Sequence, residues 1–196
     1  MNTRYSHKQR QQLLSIVIKS IQHGITFGER YQNDHSNAEA FTQEQRACFI
    51  TLKTNNTLRG CVGSLVANEA LINNIIHNAY SAAFNDSRFV PLRRKELPGL
   101  SIQLSILSPS ETLQFSSQQE LLNQLIPNRD GLIISEGEKH ATFLPSVWQD
   151  LNEAQEFLNH LKIKAGLPQD YWSTTIEAKR YTTESFACTL TPEDIS

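Results

Sequence analysis

Leu13/Leu14, Val17/Ile18 and Ile21 recur at helical spacing, and Ser6 with Gln9 three residues later forms a capping-box signature ahead of them. This pattern predicts a helix over 7–23 that stops at Gly24. The periodicity fades from Gly24 to Thr42, where Gly28, Asn33, Asp34 and Asn37 interrupt it, so an ordered connection is expected. A strand is predicted over 47–53, a tight turn at Asn55-Asn56, and a return strand over 58–65. Asn68 caps a second predicted helix over 69–84, with Leu71, Ile72, Ile75, Ile76, Ala79 and Ala83 on its buried face. The segment from Asn85 to Pro91 breaks that helix as an exposed turn. Strict alternation over 100–107 then marks a half-buried strand.

Further along, a short helix is predicted over 118–125, followed by a hairpin of 131–134 with 140–143 turning through Glu136-Gly137. Asn152 with Gln155 caps a helix bearing Phe157, Leu158, Leu161 and Ala165, ended by Gly166 and Pro168. One last strand is expected over 174–186. Hairpins and helices alternate without a βαβ rhythm, so the fold class is α+β with a mainly antiparallel sheet.

Composition narrows the partners. The 196 residues, at a soft prior of ~150 per domain, make a single domain or one with a small annex. Eighteen Lys and Arg against 20 Asp and Glu leave a formal charge of -2, which argues against a general nucleic-acid binder. The one compact basic cluster, Arg93-Arg94-Lys95, is followed at once by Glu96. It reads as a solvated turn, with RNA contact as the other option. Apolar runs are too short for a transmembrane helix, and the polar N-terminus lacks the apolar core of a signal peptide. Three cysteines suit a reducing compartment, so a cytoplasmic protein is expected. With no CxxC, no HxxxH and scattered histidines, no metal site or cofactor is expected.

Candidate chemistry gathers in Leu58-Arg59-Gly60-Cys61-Val62-Gly63. Two glycines in six residues weaken a strand and mark a bend or a close approach. On a regular strand Arg59 and Cys61, two apart, share one face. A guanidinium beside a thiol favours the thiolate, giving a nucleophile or redox-sensitive group. The alternative is that Cys61 is a small buried filler. A two-residue turn at Asn55-Asn56 sets Cys61 opposite Ile50 and Cys48 opposite Gly63. The two thiols are then diagonal neighbours ~7–8 Å apart, too far for a disulfide. Asp86 and Arg88 either recognise a polar ligand or pair with each other to fix their turn. His140, ahead of a strand, is the best-placed general base or else a hydrated strand-end histidine. His77, with Tyr80 and Phe84 one and two turns on, reads as packing.

The hexapeptide resembles the signature of the AMMECR family, whose prokaryotic members are called AmmeMemoRadiSam system protein A. The block from Asn78 to Phe89 followed by Pro91-Leu92, and Leu104 to Pro109, resemble further family blocks. So do Asp130 to Ile133, Ala141 to Trp148, and Lys164 to Pro168 with Tyr171-Trp172, in the family's order over about 45–186. Val62 stands where Ile is commoner. Lys139-His140-Ala141 stands where a small, often Arg-Gly, sequence is expected, which demotes His140. The resemblance implies an antiparallel sheet flanked by helices, a small subdomain, and the hexapeptide near the cleft between them. It implies a Memo-like protein and a radical SAM protein as partners, and supplies no reaction. The expected role is substrate or partner binding, with Cys61 as nucleophile or acceptor and Arg59 as its electrostatic support. Leu58, Gly60, Gly63, Asp86, Arg88 and Thr142 are the expected binding residues. The alternatives are a non-enzymatic interaction module and an RNA-binding regulator.

Overall fold

The computed structural model describes residues 4–33 and 39–195. In chain order its elements are α1 (His7–Phe27), α2 (Ala40–Gln43), β1 (Cys48–Thr54), β2 (Thr57–Gly63), α3 (Leu71–Phe84), β3 (Ser101–Leu107) and β4 (Glu111–Thr112). There follow α4 (Gln118–Gln124), β5 (Gly131–Glu136), β6 (Lys139–Phe143), α5 (Ala154–Lys164), β7 (Glu177–Tyr181) and β8 (Thr183–Thr189). They form two compact units, Met1–Leu107 with Glu184–Ser196, and Ser108–Thr183. The class is α+β, with one antiparallel sheet in each unit and helices against it.

The first unit's sheet has the order β2-β1-β3-β8. The Leu190 N–H donates to the Leu100 carbonyl at 2.9 Å, the Gly99 N–H donates to the Leu190 carbonyl at 3.0 Å, and Ser105 faces Ser185 at 2.8 Å, so β8 runs antiparallel to β3. Cys48, Ile50 and Leu52 of β1 with Ile102 and Leu104 of β3 turn one face toward α1 and α3. That face buries a core with Leu13, Val17 and Ile21 of α1 and Leu71, Ile75 and Ala79 of α3. Removal of these side chains from water is the main force holding the unit.

The capping box forms as the sequence predicts: the Gln9 N–H donates to Ser6 Oγ at 3.3 Å, and the Ser6 N–H donates to Gln9 Oε1 at 2.8 Å. The helix does not stop at Gly24, however. Gly24 is buried where a Cβ would collide with the Phe84 ring, so it serves packing. Gly28, at φ 73°, supplies the left-handed cap one turn later. Of the expected connection, 34–38, with Asp34 and Asn37, lies outside the described residues. Ala70 precedes α3 without a side-chain cap, so Asn68 does not have that role, and Glu153 likewise displaces Asn152 at α5.

The second unit has the sheet order β4-β7-β5-β6 with α4 and α5. Leu121, Leu132, Ile134, Trp148, Phe157, Leu158 and Leu161 form its core, and Trp148 stacks on Phe157 at 3.9 Å between ring centroids. The single strand expected over 174–186 is two strands. Thr182 interrupts it, and β7 belongs to the second sheet while β8 belongs to the first.

Candidate functional site

The hexapeptide occupies β2, the edge strand of the first sheet. Asn55 and Asn56 both take positive φ, 51° and 61°, the conformation a two-residue hairpin turn requires. Lys53 opposes Leu58, but Leu52 then opposes Gly60. Arg59 is therefore the extra residue of a β-bulge, and every later pairing slips by one. Cys61 opposes Thr51 rather than Ile50, and Gly63 opposes Phe49 rather than Cys48. Cys48 faces the core, whereas Cys61 shares the opposite face with Thr51, its Sγ 3.3 Å from Thr51 Oγ1. The two thiols therefore lie on different faces of the sheet and are free.

The bulge also separates Arg59 from Cys61. Arg59 sits with Gly60 opposite Leu52 and reaches into the loop after α3. Its Nε donates to Glu96 Oε1 at 2.8 Å and its Nη2 to the Val90 carbonyl at 2.9 Å. This bonding from Arg59 holds the Glu96 carboxyl below its usual range. Gly60 is the point of closest approach, because a Cβ there would run into the Ala82 carbonyl of α3.

Arg88 takes the place beside Cys61. Asp86 and Arg88 form a fork on the outer edge of β2, where a neighbouring strand would otherwise pair. The Cys61 N–H donates to Asp86 Oδ2 at 2.9 Å, and Arg88 Nη2 donates to the Cys61 carbonyl at 3.2 Å. Arg88 closes the fork on Asp86 through Nε at 2.9 Å and Nη2 at 2.7 Å. Two side chains thus satisfy the N–H and the carbonyl of one edge residue in the pattern of an antiparallel ladder. Arg88's bonds hold the buried Asp86 carboxyl far below the ordinary carboxylate range, and the Arg88 guanidinium is pushed up in return. The Phe89 ring lies 5.4 Å from the Arg88 guanidinium and 5.9 Å from that of Arg59.

The remaining sequence candidates are placed as follows. Leu58 is exposed beside Arg59, and Gly63 packs against Phe49. Thr142 is buried in the second unit, donating to the Leu132 carbonyl at 2.9 Å and meeting the Tyr181 hydroxyl at 2.8 Å. Burial pushes the Tyr181 phenol up to about 12. His140 is exposed on β6, its Nδ1 3.1 Å from the Glu138 carbonyl. His77 is exposed too, so its expected packing role is not realised. Arg93, Arg94 and Lys95 project to solvent. Cys48 is fully buried, and desolvation pushes its thiol up to about 12. Among the described residues, no group of three or more His, Cys, Asp or Glu could hold a metal ion, and no helix is long and apolar enough to cross a membrane. Sequence reasoning did not find Thr51, Glu96 or Phe89. The register that brings in Thr51 depends on the bulge, and Glu96 looked like part of a solvated charge cluster.

The AMMECR1 family model matches residues 14–186. The chain belongs to the AMMECR1 family. Protein MJ0810 of Methanocaldococcus jannaschii is 39% identical over 132 residues, 66% of each chain. A protein of Thermotoga maritima is 30% identical over 172 residues, covering 87% of this chain and 94% of its own. The crystal structure of protein PH0010 from Pyrococcus horikoshii superposes with a TM-score of 0.83 at 27% identity, covering 90% of this chain and 89% of that one. In this chain the fold carries the hexapeptide on a sheet edge and the fork in the loop after α3.

Proposed function

We propose that this AMMECR1-family chain is the substrate- or partner-binding component of a modification system that includes a radical SAM protein and a Memo-like protein. Cys61 is its nucleophile or acceptor. One observation carries the reading: Asp86 and Arg88 bind the N–H and the carbonyl of Cys61, and among the described residues the thiol itself meets only the Thr51 hydroxyl. A backbone clamp of this kind fixes where a side chain starts without covering its end, which a positioned nucleophile needs. Arg88 supplies the electrostatic support, and Arg59 braces the strand on the loop through Glu96.

Iodoacetamide labelling of the folded chain, mapped by peptide mass, tests the role of the thiol. Cys61 is expected to react first, and the buried Cys48 only on unfolding. A Cys61 rate as slow as that of Cys48 removes the thiol from the mechanism. The tight approach of Gly60 to α3 favours the second reading, a docking module without chemistry. In that case Cys61→Ser retains capture of the radical SAM or Memo-like partner, and Gly60→Val abolishes it.

A further inference from the structure

We propose that the group presented to Cys61 carries an anionic oxygen, of a carboxylate or a phosphate, received by Arg88 and Lys53. The inference rests on the reading of Cys61 as the reacting thiol. It starts from the asymmetry of the fork. The Asp86 side chain is 6% exposed and that of Arg88 54%. Both Asp86 oxygens are occupied by Arg88 and by the Cys61 N–H. The pair therefore buries its negative end and turns its positive end outward. Arg88 uses Nε and Nη2 within the fork, and Nη1 has no partner among the described residues.

Strand parity provides the second observation. Thr51 pairs with Cys61 and Gln103, Phe49 with Gly63 and Ser105, and Lys53 with Leu58 and Ser101. Ser105 meets Ser185. The sheet face that bears Cys61 thus carries Lys53, hydroxyls, an amide and apolar groups, and none of these positions is acidic. Lys53 is exposed and forms no ion pair among the described residues. The nearby acids face elsewhere: Glu96 binds Arg59, and Glu184, at the alternate parity of β8, binds Arg10 at 2.8 Å. A thiol flanked by an outward guanidinium and an ammonium, with the Asp86 carboxylate buried within the fork, selects a partner of negative charge.

Alkylation of the intact chain by iodoacetate and by iodoacetamide tests this. In each case the S–C bond forms, the C–I bond breaks, iodide leaves and the thiol proton passes to buffer. The iodoacetate-to-iodoacetamide rate ratio at Cys61 is expected to exceed that of the urea-unfolded chain about fivefold, the effect of one charge at roughly 4 Å in water. It should fall to the unfolded value in ~1 M salt, and fall part of the way in each of Arg88→Gln and Lys53→Gln. Lys53 is an exposed strand residue, so that variant keeps the test open if Arg88→Gln does not fold. Acetate and phosphate, added at matched ionic strength, compete with iodoacetamide, and the stronger competitor identifies the oxyanion. Slowing by neither, or a ratio no higher than that of the unfolded chain, overturns the inference while the thiol reading stands. No reaction with either reagent overturns both.

Discussion

Asp86 shows how much of the site depends on one carboxylate. Four donors converge on its two oxygens, three from Arg88 and one from Cys61, within a 9% exposed residue. Asp86→Asn removes the charge and one acceptor, so a loss of about 2–3 kcal/mol is expected by urea unfolding at neutral pH. The direction of its titration fixes how that loss varies. The folded carboxyl ionises below the unfolded value of about 3.9, so its stabilisation is complete above that value and drains away as pH falls below it. The gap between wild type and Asp86→Asn should therefore narrow in acid, and a gap constant from neutral pH to about pH 3 would refute this account. That something closely approaches the backbone around Cys61 was legible from its two flanking glycines. The identity of the charge beside it was not, because Arg59 and Arg88 trade places through a backbone irregularity that leaves no mark on composition.

At the scale of elements, some local signals held, the caps expected at Asn68 and Asn152 did not, and neither did register. Ser6/Gln9 and Asn55-Asn56 act within a few residues, so their chemistry can be read directly. The bulge at Arg59 is invisible to an alternation pattern, because Gly60 has no side chain to show which face it occupies. Gly24 misled for a related reason: a glycine can end a helix or admit a ring, and only Phe84 distinguishes the two. Likewise Thr182 marks a change of sheet within what reads as one strand. The two hexapeptide glycines should differ under substitution. At Gly60 the added methyl meets the α3 backbone, which cannot yield without moving the helix, so Gly60→Ala should cost about 2–3 kcal/mol. At Gly63 it meets the root of the Phe49 ring, Cγ and both Cδ atoms, which clear it only by a new χ1 rotamer of a half-buried side chain, so the expected loss is smaller, about 1–2 kcal/mol. Equal losses for the two variants in urea melts would argue against the bulge register.

The whole molecule has two cores, and both of its tryptophans, Trp148 and Trp172, lie in the unit spanning Ser108–Thr183. Indole fluorescence therefore follows that unit's unfolding, and Lys162 offers a test of its energetics. Lys162 is 0% exposed. Its Nζ donates to Gln118 Oε1 at 2.7 Å and to the Gln169 carbonyl at 3.1 Å, with no carboxylate in ion-pair contact among the described residues. Desolvation lowers its proton affinity, and the Asp170 charge offsets this only in part. A lysine depressed in the fold makes the charged state a penalty. That penalty is present in full at pH below the folded value and fades as pH rises toward the unfolded value of about 10.4. Lys162→Met removes it, and the freed acceptors stay beside a polar recess of about 580 Å³ lined by Gln118, Gln155, Asn159, Gln169 and Asp170, where water can reach them. The variant should be as stable as wild type, or up to about 1 kcal/mol more stable, in fluorescence-monitored urea melts at pH 7. That advantage should shrink as pH approaches 10. A loss of more than about 2 kcal/mol at pH 7 would show that the two ammonium hydrogen bonds outweigh desolvation, and that the buried charge holds α5 to α4.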